Sequence, residues 1–232
     1  MNKPRSTSLS APCVRICSAV FTGCRMLFSR DPRAIRDWRR RGSPLPPPPA
    51  VKQQVLLALA KRYSLRLFVE TGTSFGDMVK AMIPHFDRIW TIELGDRLYA
   101  EAQEKFRDAR NVELIHGDSG RELGRLIPKL NAPALFWLDA HYFGGPLRGA
   151  TSARGEKDTP ILEELDHILG AAEPRHVVVI DDARLFGTDP AYPTLDAVAA
   201  LVRSRSPNFR VVFACDCIQI LPGRPDGAGN PW

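Results

Sequence analysis

From residue 51 onward the chain alternates between two hydrophobic periods. Residues 51–63 carry Val55, Leu56, Leu59 and Ala60 at helical spacing. A short apolar run at 67–70 reads as a buried strand, 75–85 as a helix, 88–93 as a strand, and 98–110 as a helix. The alternation continues with a strand at 112–116, a helix at 119–130 and a strand at 134–139. A long loop runs to residue 158. A helix at 159–169, a strand at 176–181 and a helix at 194–203 follow, and strands at 210–214 and 217–221 pair as a terminal hairpin around Asp216. Continuous apolar strands separated by helices predict an α/β domain with a mostly parallel sheet covered on both faces. Seven strands are expected, the last two as an antiparallel hairpin.

The first 44 residues differ. Residues 13–28 place apolar side chains at 13, 17, 20, 21, 24, 27 and 28, on one helical face. A second short helix is expected at 32–41, with Ile35 and Trp38 on one side and five arginines around them. Residues 43–49 (SPLPPPP) form a stiff polyproline-type linker. The reading is therefore a basic helical extension at 1–44, a Pro-rich linker at 45–50, the α/β domain at 51–222 and a tail at 223–232.

Charge sharpens this division. The net charge of +6 splits into +8 for residues 1–44 (ten Lys/Arg, two Asp/Glu) and −2 for the rest (twenty-two against twenty-four). A basic leader on a slightly acidic domain argues against a domain that tracks nucleic acid. The basic amphipathic region 13–41 suits peripheral contact with a lipid headgroup layer at the inner membrane face. A helix packed on the domain, or a misplaced start codon, would account for it equally. Five cysteines in no zinc spacing, without a secretory signal, fit a reducing cytoplasm better than a disulfide framework.

The candidate chemistry sits at the strand ends. The first strand enters LFVETGTSFGD, where Gly72, Thr73, Ser74 and Gly76 form a tight turn before a helix. The acid before the turn, Glu70, repels phosphate and suits a ligand bearing an amino group, which favours S-adenosylmethionine over NAD; capping of the next helix is the plainer role. Glu93, ending the second strand, is placed to accept two ribose hydroxyls, or is a surface acid. Asp118 and Ser119 follow the third strand; both can meet an adenine edge, or Asp118 caps the helix. The fourth strand ends in Asp139 and His141, two apart and so on one side. The fifth ends in Asp181 and Asp182. Three aspartates converging at one sheet end need a cation, and magnesium on Asp139, Asp181 and Asp182 supplies it; the alternative is that Asp182 caps a turn.

These motifs resemble the class I S-adenosylmethionine-dependent methyltransferases, whose Rossmann-like fold also ends in an antiparallel strand. Within them the chain is similar to the macrocin O-methyltransferase group, which methylates sugar hydroxyls on natural products. Glu70-Thr71-Gly72 matches its first motif, Asp139 its metal ligand after the fourth strand, and Asp181-Asp182 its pair after the fifth. The group carries an Asp as base where this sequence has His141, a chemically competent replacement. The resemblance implies a Mg2+-assisted O-methyltransferase acting on a sugar, glycan or small natural product. Glu70, Gly72, Thr73, Ser74, Gly76, Glu93, Asp118 and Ser119 would hold S-adenosylmethionine, and Asp139 and His141 would act at the acceptor. The loop 142–158, with Arg148, Arg154 and Lys157, is then either an acceptor lid or a surface insertion.

Competing readings fare less well. A dinucleotide oxidoreductase wants G-x-G-x-x-G, and Ser74 breaks that register. An RNA methyltransferase would predict a basic face on 45–232. A scaffold domain that binds the cofactor without transferring its methyl keeps the fold and loses the chemistry.

Overall fold

The computed structural model describes residues 32–141, 159–171 and 175–223. Its elements run α1 (Pro32–Arg40), α2 (Pro49–Arg62), β1 (Leu67–Thr71), α3 (Asp77–Met82), β2 (Arg88–Glu93), α4 (Asp96–Phe106) and β3 (Val112–His116). They continue with α5 (Ser119–Leu126), β4 (Ala134–Leu138), α6 (Ile161–Gly170), β5 (Val177–Ile180), α7 (Leu195–Arg205), β6 (Phe209–Ala214) and β7 (Cys217–Pro222). The expected helix at 13–28 and the loop at 142–158 lie outside the described residues.

The seven strands form one sheet in the order β3-β2-β1-β4-β5-β7-β6. The first five are parallel, and β7 runs antiparallel to both β5 and β6. This is the expected architecture, down to the terminal hairpin. That hairpin turns on Cys215 and Asp216, both at positive φ (53° and 62°), which matches the strands' twist in a two-residue loop. The strand order reverses between β1 and β4. In open α/β sheets such a reversal opens a crevice at the carboxyl ends of the strands.

Both faces of the sheet are buried, and the strands divide between them with period two. Leu135 and Trp137 of β4 join Val51, Val55, Leu56 and Leu59 of α2 on one face. Phe136 and Leu138 join Leu123 of α5, Leu165 of α6 and Val198 of α7 on the other. Ile35 and Trp38 of α1 belong to the first cluster, and the Trp38 indole donates to the Pro44 carbonyl at 2.7 Å. The apolar side of α1 thus faces α2.

Helix α3 is shorter than the pattern suggested. The chain before it occupies positive φ at Ser74 and Gly76, and Pro84 offers no N–H to extend it. No helix among the described residues is long and apolar enough to cross a membrane.

Candidate active site

The turn after β1 folds back on the end of β2. Gly72 and Thr73 both donate their backbone N–H to the Ile92 carbonyl, at 2.9 and 3.2 Å, and Gly76 donates to Thr73 at 2.8 Å. Glu93 ties this turn to the next helix: Ser74 N–H donates to one carboxylate oxygen at 2.8 Å and Gly95 N–H to the other at 2.9 Å. Each oxygen keeps a second lone pair for a hydroxyl donor. The two glycines have packing reasons as well. A Cβ on Gly72 would lie 2.7 Å from the Asp139 carbonyl oxygen, and one on Gly76 would lie 2.6 Å from the Phe106 ring.

Glu70 lies beneath the turn, almost wholly buried. Thr91 Oγ1 donates to it at 2.6 Å and sits 2.6 Å from Thr73 Oγ1. The single Thr91 proton goes to the carboxylate, so Thr73 donates to Thr91. Burial pushes the Glu70 carboxyl well above its ordinary range against that hydrogen bond, helped by the charges of Asp139 and Glu93. Asp118 stands at the N-cap of α5 without a side-chain capping bond, and Ser119 is buried behind it.

Across the strand reversal, Asp139 N–H donates to the Thr71 carbonyl at 3.1 Å, which joins the end of β4 to the turn after β1. Asp139 Oδ1 lies 3.5 Å from His141 Nδ1, so the two-residue spacing does bring them together. Burial alone would lower the His141 pKa; the hydrogen bond and charge of Asp139, with Asp182 and Asp181 behind it, raise it instead. Asp139, His141 and Asp182 each offer a ligand atom, all within 4.8 Å of one another.

Asp181 is engaged elsewhere. Lys52, from the first turn of α2, donates to Asp181 Oδ2 at 2.6 Å, contacts Oδ1, and lies 3.4 Å from Asp182 Oδ1. Arg184 donates to Asp182 Oδ1 at 2.7 Å and to Asp216. Against burial, Asp181 and Asp182 hold the Lys52 ammonium firmly charged. Burial and the charge of Asp139 push the Asp181 carboxyl up, and Lys52 opposes them. Asp182 is pulled down against its own burial, by Lys52 first and then Arg184. Asp182 also sits at φ 54°, heading the short 3-10 turn Ala183–Leu185.

Sequence reasoning missed Lys52, Arg184, Thr91, Tyr192 and Glu164. The Tyr192 hydroxyl is buried without a hydrogen-bond partner among the described residues. Its ring centroid is 5.9 Å from that of His141, and the phenol is held neutral by burial and by Asp182, Asp139 and Asp181.

Glu164 of α6 is fully buried, beside the hydroxyls of Thr71 and Ser119. Burial raises its carboxyl to about 7, with the Ser119 and Thr71 hydroxyls working the other way. Between the ordinary carboxyl value and 7, the unfolded chain ionises Glu164 while the folded chain keeps the proton. Stability contributed at this position is therefore present at low pH and lost as pH rises through that window, by about 3 kcal/mol. Glu164→Gln is expected to leave the melting temperature at pH 5 nearly unchanged and to raise it at pH 8 by about 5 °C or more. Thermal melts at the two pH values check this; parallel shifts at both would contradict it.

No protein-family model matches the chain, and no curated protein matches it. Solved structures do. The O-methyltransferase TomG from Streptomyces achromogenes, involved in tomaymycin synthesis and solved with S-adenosylmethionine, is 22% identical. The match covers 90% of this chain and 95% of TomG, with a TM-score of 0.51. The methyltransferase PaMTH1 from Podospora anserina, bound to S-adenosylhomocysteine, is 15% identical over 97% of this chain and 99% of that one, with a TM-score of 0.51. An O-methyltransferase from Bacillus cereus, also with S-adenosylhomocysteine, is 13% identical over 89% and 96%, with a TM-score of 0.53. At these identities the likeness is one of architecture: the chain has the Rossmann-like class I methyltransferase fold.

Proposed function

We propose that this chain is an S-adenosylmethionine-dependent O-methyltransferase acting on a hydroxyl of a sugar, glycan or small natural product, with help from a divalent cation such as Mg2+. One observation carries the reading. The turn after β1 packs directly on the Asp139 backbone, so a cofactor-type turn and an acid–imidazole pair meet at the strand reversal.

The residues present fit both groups. Glu93 has lone pairs to spare for ribose hydroxyls, the Asp118 side chain is not spent on capping α5, and Glu70 supports the turn from below through Thr91 and Thr73. Asp139 and Asp182 would hold the divalent ion, which suits a cation that takes one or two carboxylates and keeps its remaining positions for water and substrate. When bound, such an ion lowers the pKa of an acceptor hydroxyl. His141 stands beside that position and takes the acceptor's proton, with Asp139 orienting its ring. Tyr192 packs near the His141 ring and closes that side of the site. Positioning of acceptor and methyl donor supplies the rest of the acceleration.

The test is calorimetry with S-adenosylmethionine, followed by transfer of a labelled methyl group to a panel of polyhydroxylated glycosides, with and without chelator. Binding and chelator-sensitive transfer are expected. Absence of cofactor binding would overturn the reading. Turnover that persists in excess chelator would remove the metal from it, and binding without transfer to any acceptor would favour a scaffold role.

A further inference from the structure

The aspartate cluster at the ends of β4 and β5 already contains a cation of the protein's own. Lys52 belongs to a helix that precedes the sheet, yet its ammonium reaches the strand end 129 residues later in the chain. The pair is secluded: side-chain exposure is 12% for Lys52 and 8% for Asp181. Both Asp181 oxygens are already engaged. Oδ2 accepts from Lys52, and Oδ1 contacts Lys52 and accepts the Asp182 N–H at 2.6 Å. Asp182 is held differently: Lys52 and Arg184 both meet it through Oδ1, and its carboxylate still converges with Asp139 and His141. Asp181 does not join that convergence.

We infer that Lys52 is a positioning residue that divides the cluster, occupying Asp181 and leaving Asp139 and Asp182 as the carboxylates able to hold a divalent ion. The inference rests on the metal-assisted reading above, and it departs from the motif, which assigns Asp181 to the metal. The physical ground is exclusion. A tethered ammonium within hydrogen-bond distance of a carboxylate takes the place a second cation would need, and removing one member of a buried pair leaves an uncompensated charge that seeks another partner. Lys52 also makes α2 part of the active unit, because it ties the helix before β1 to the strand end where the acceptor is expected.

The experiment is Mn2+ binding to the full chain, followed by electron paramagnetic resonance of the free ion, for wild type, Asp181→Asn, Asp182→Asn, Lys52→Met and Lys52→Arg. Asp181→Asn keeps an amide oxygen that accepts from Lys52 and should leave Mn2+ affinity within about threefold of wild type, while Asp182→Asn loses about tenfold or more. Lys52→Met should gain about tenfold in affinity, or a second bound ion, as Asp181 is released. Lys52→Arg should behave as wild type. Equal losses from Asp181→Asn and Asp182→Asn would overturn the division of roles, and that comparison stands even if Lys52→Met fails to fold. If wild type binds no Mn2+, the metal part of the proposed function fails. The role of Lys52 then turns on Lys52→Met alone: a gain of binding supports it and no gain overturns it.

Discussion

Asp139→Ala is expected to lower kcat for methyl transfer by about a thousandfold while leaving the Kd of S-adenosylmethionine within about threefold of wild type. The split follows from where its contacts lie. The Asp139 carboxylate faces His141 at 3.5 Å and converges with Asp182, whereas the turn after β1 touches the Asp139 backbone. Alanine keeps that backbone and removes the carboxylate. On the proposed function two roles go together: His141 loses the group that raises its pKa and orients its ring, and a divalent ion would lose one of the two carboxylates proposed to hold it. Side chains that act as a unit give non-additive losses, so Asp139→Ala with His141→Ala should cost little more than either alone. Calorimetry and single-turnover kinetics separate the two quantities. A kcat within tenfold of wild type would remove Asp139 from the chemistry. Joint loss of turnover and cofactor affinity would instead place it in the cofactor pocket.

Sequence made some of this legible and hid the rest for definable reasons. The strand count and the terminal hairpin could be read because strands buried on both faces are continuous apolar runs, and because Cys215-Asp216 interrupts the last run with two residues. Asp139 and His141 could be read because residues two apart at a strand end share a side. The convergence of β1, β4 and β5 followed from the fold, and the need for a cation followed from three clustered acids. The identity of that cation did not. Lys52 lies among polar positions of a helix whose apolar residues satisfy the helical period, and such a lysine reads as solvated. Only the packing of α2 on the sheet brings it to Asp181. Glu164 is hidden for a related reason: in PILEEL a second glutamate looks like surface, yet α6 turns it under Thr71 and Ser119. Period reports which face of a helix is apolar; it does not report which polar residue at the margin of that face is carried inside.

The second large effect is expected at Gly72, and it tests the junction on which the proposed site depends. Gly72 sits at φ +80°, where an L side chain is strained, and a Cβ there would meet the Asp139 carbonyl oxygen at 2.7 Å and its carbon at 3.0 Å. Both neighbours are backbone at the end of the buried strand β4, so neither can rotate away. Gly72→Ala therefore combines a backbone cost of about 1–2 kcal/mol with an overpacking cost of about 1–3 kcal/mol. A loss of about 4 kcal/mol would lower Tm by about 8–16 °C in a domain of this size. Gly42 supplies the internal control: its φ is +81° and a Cβ there meets nothing within 4 Å. Gly42→Ala pays the backbone cost alone, so the difference between the two variants isolates the contact with Asp139. Function should follow the contact and not the stability. Relief of the overlap pushes the turn after β1 away from the end of β4, which separates the Ser74–Glu93 bond from the Asp139–His141 pair. Gly72→Ala should then lose S-adenosylmethionine binding even at temperatures where it remains folded, while Gly42→Ala keeps it. Equal destabilisation of the two variants with cofactor binding intact in both would mean that the turn and the acid pair are not mechanically joined.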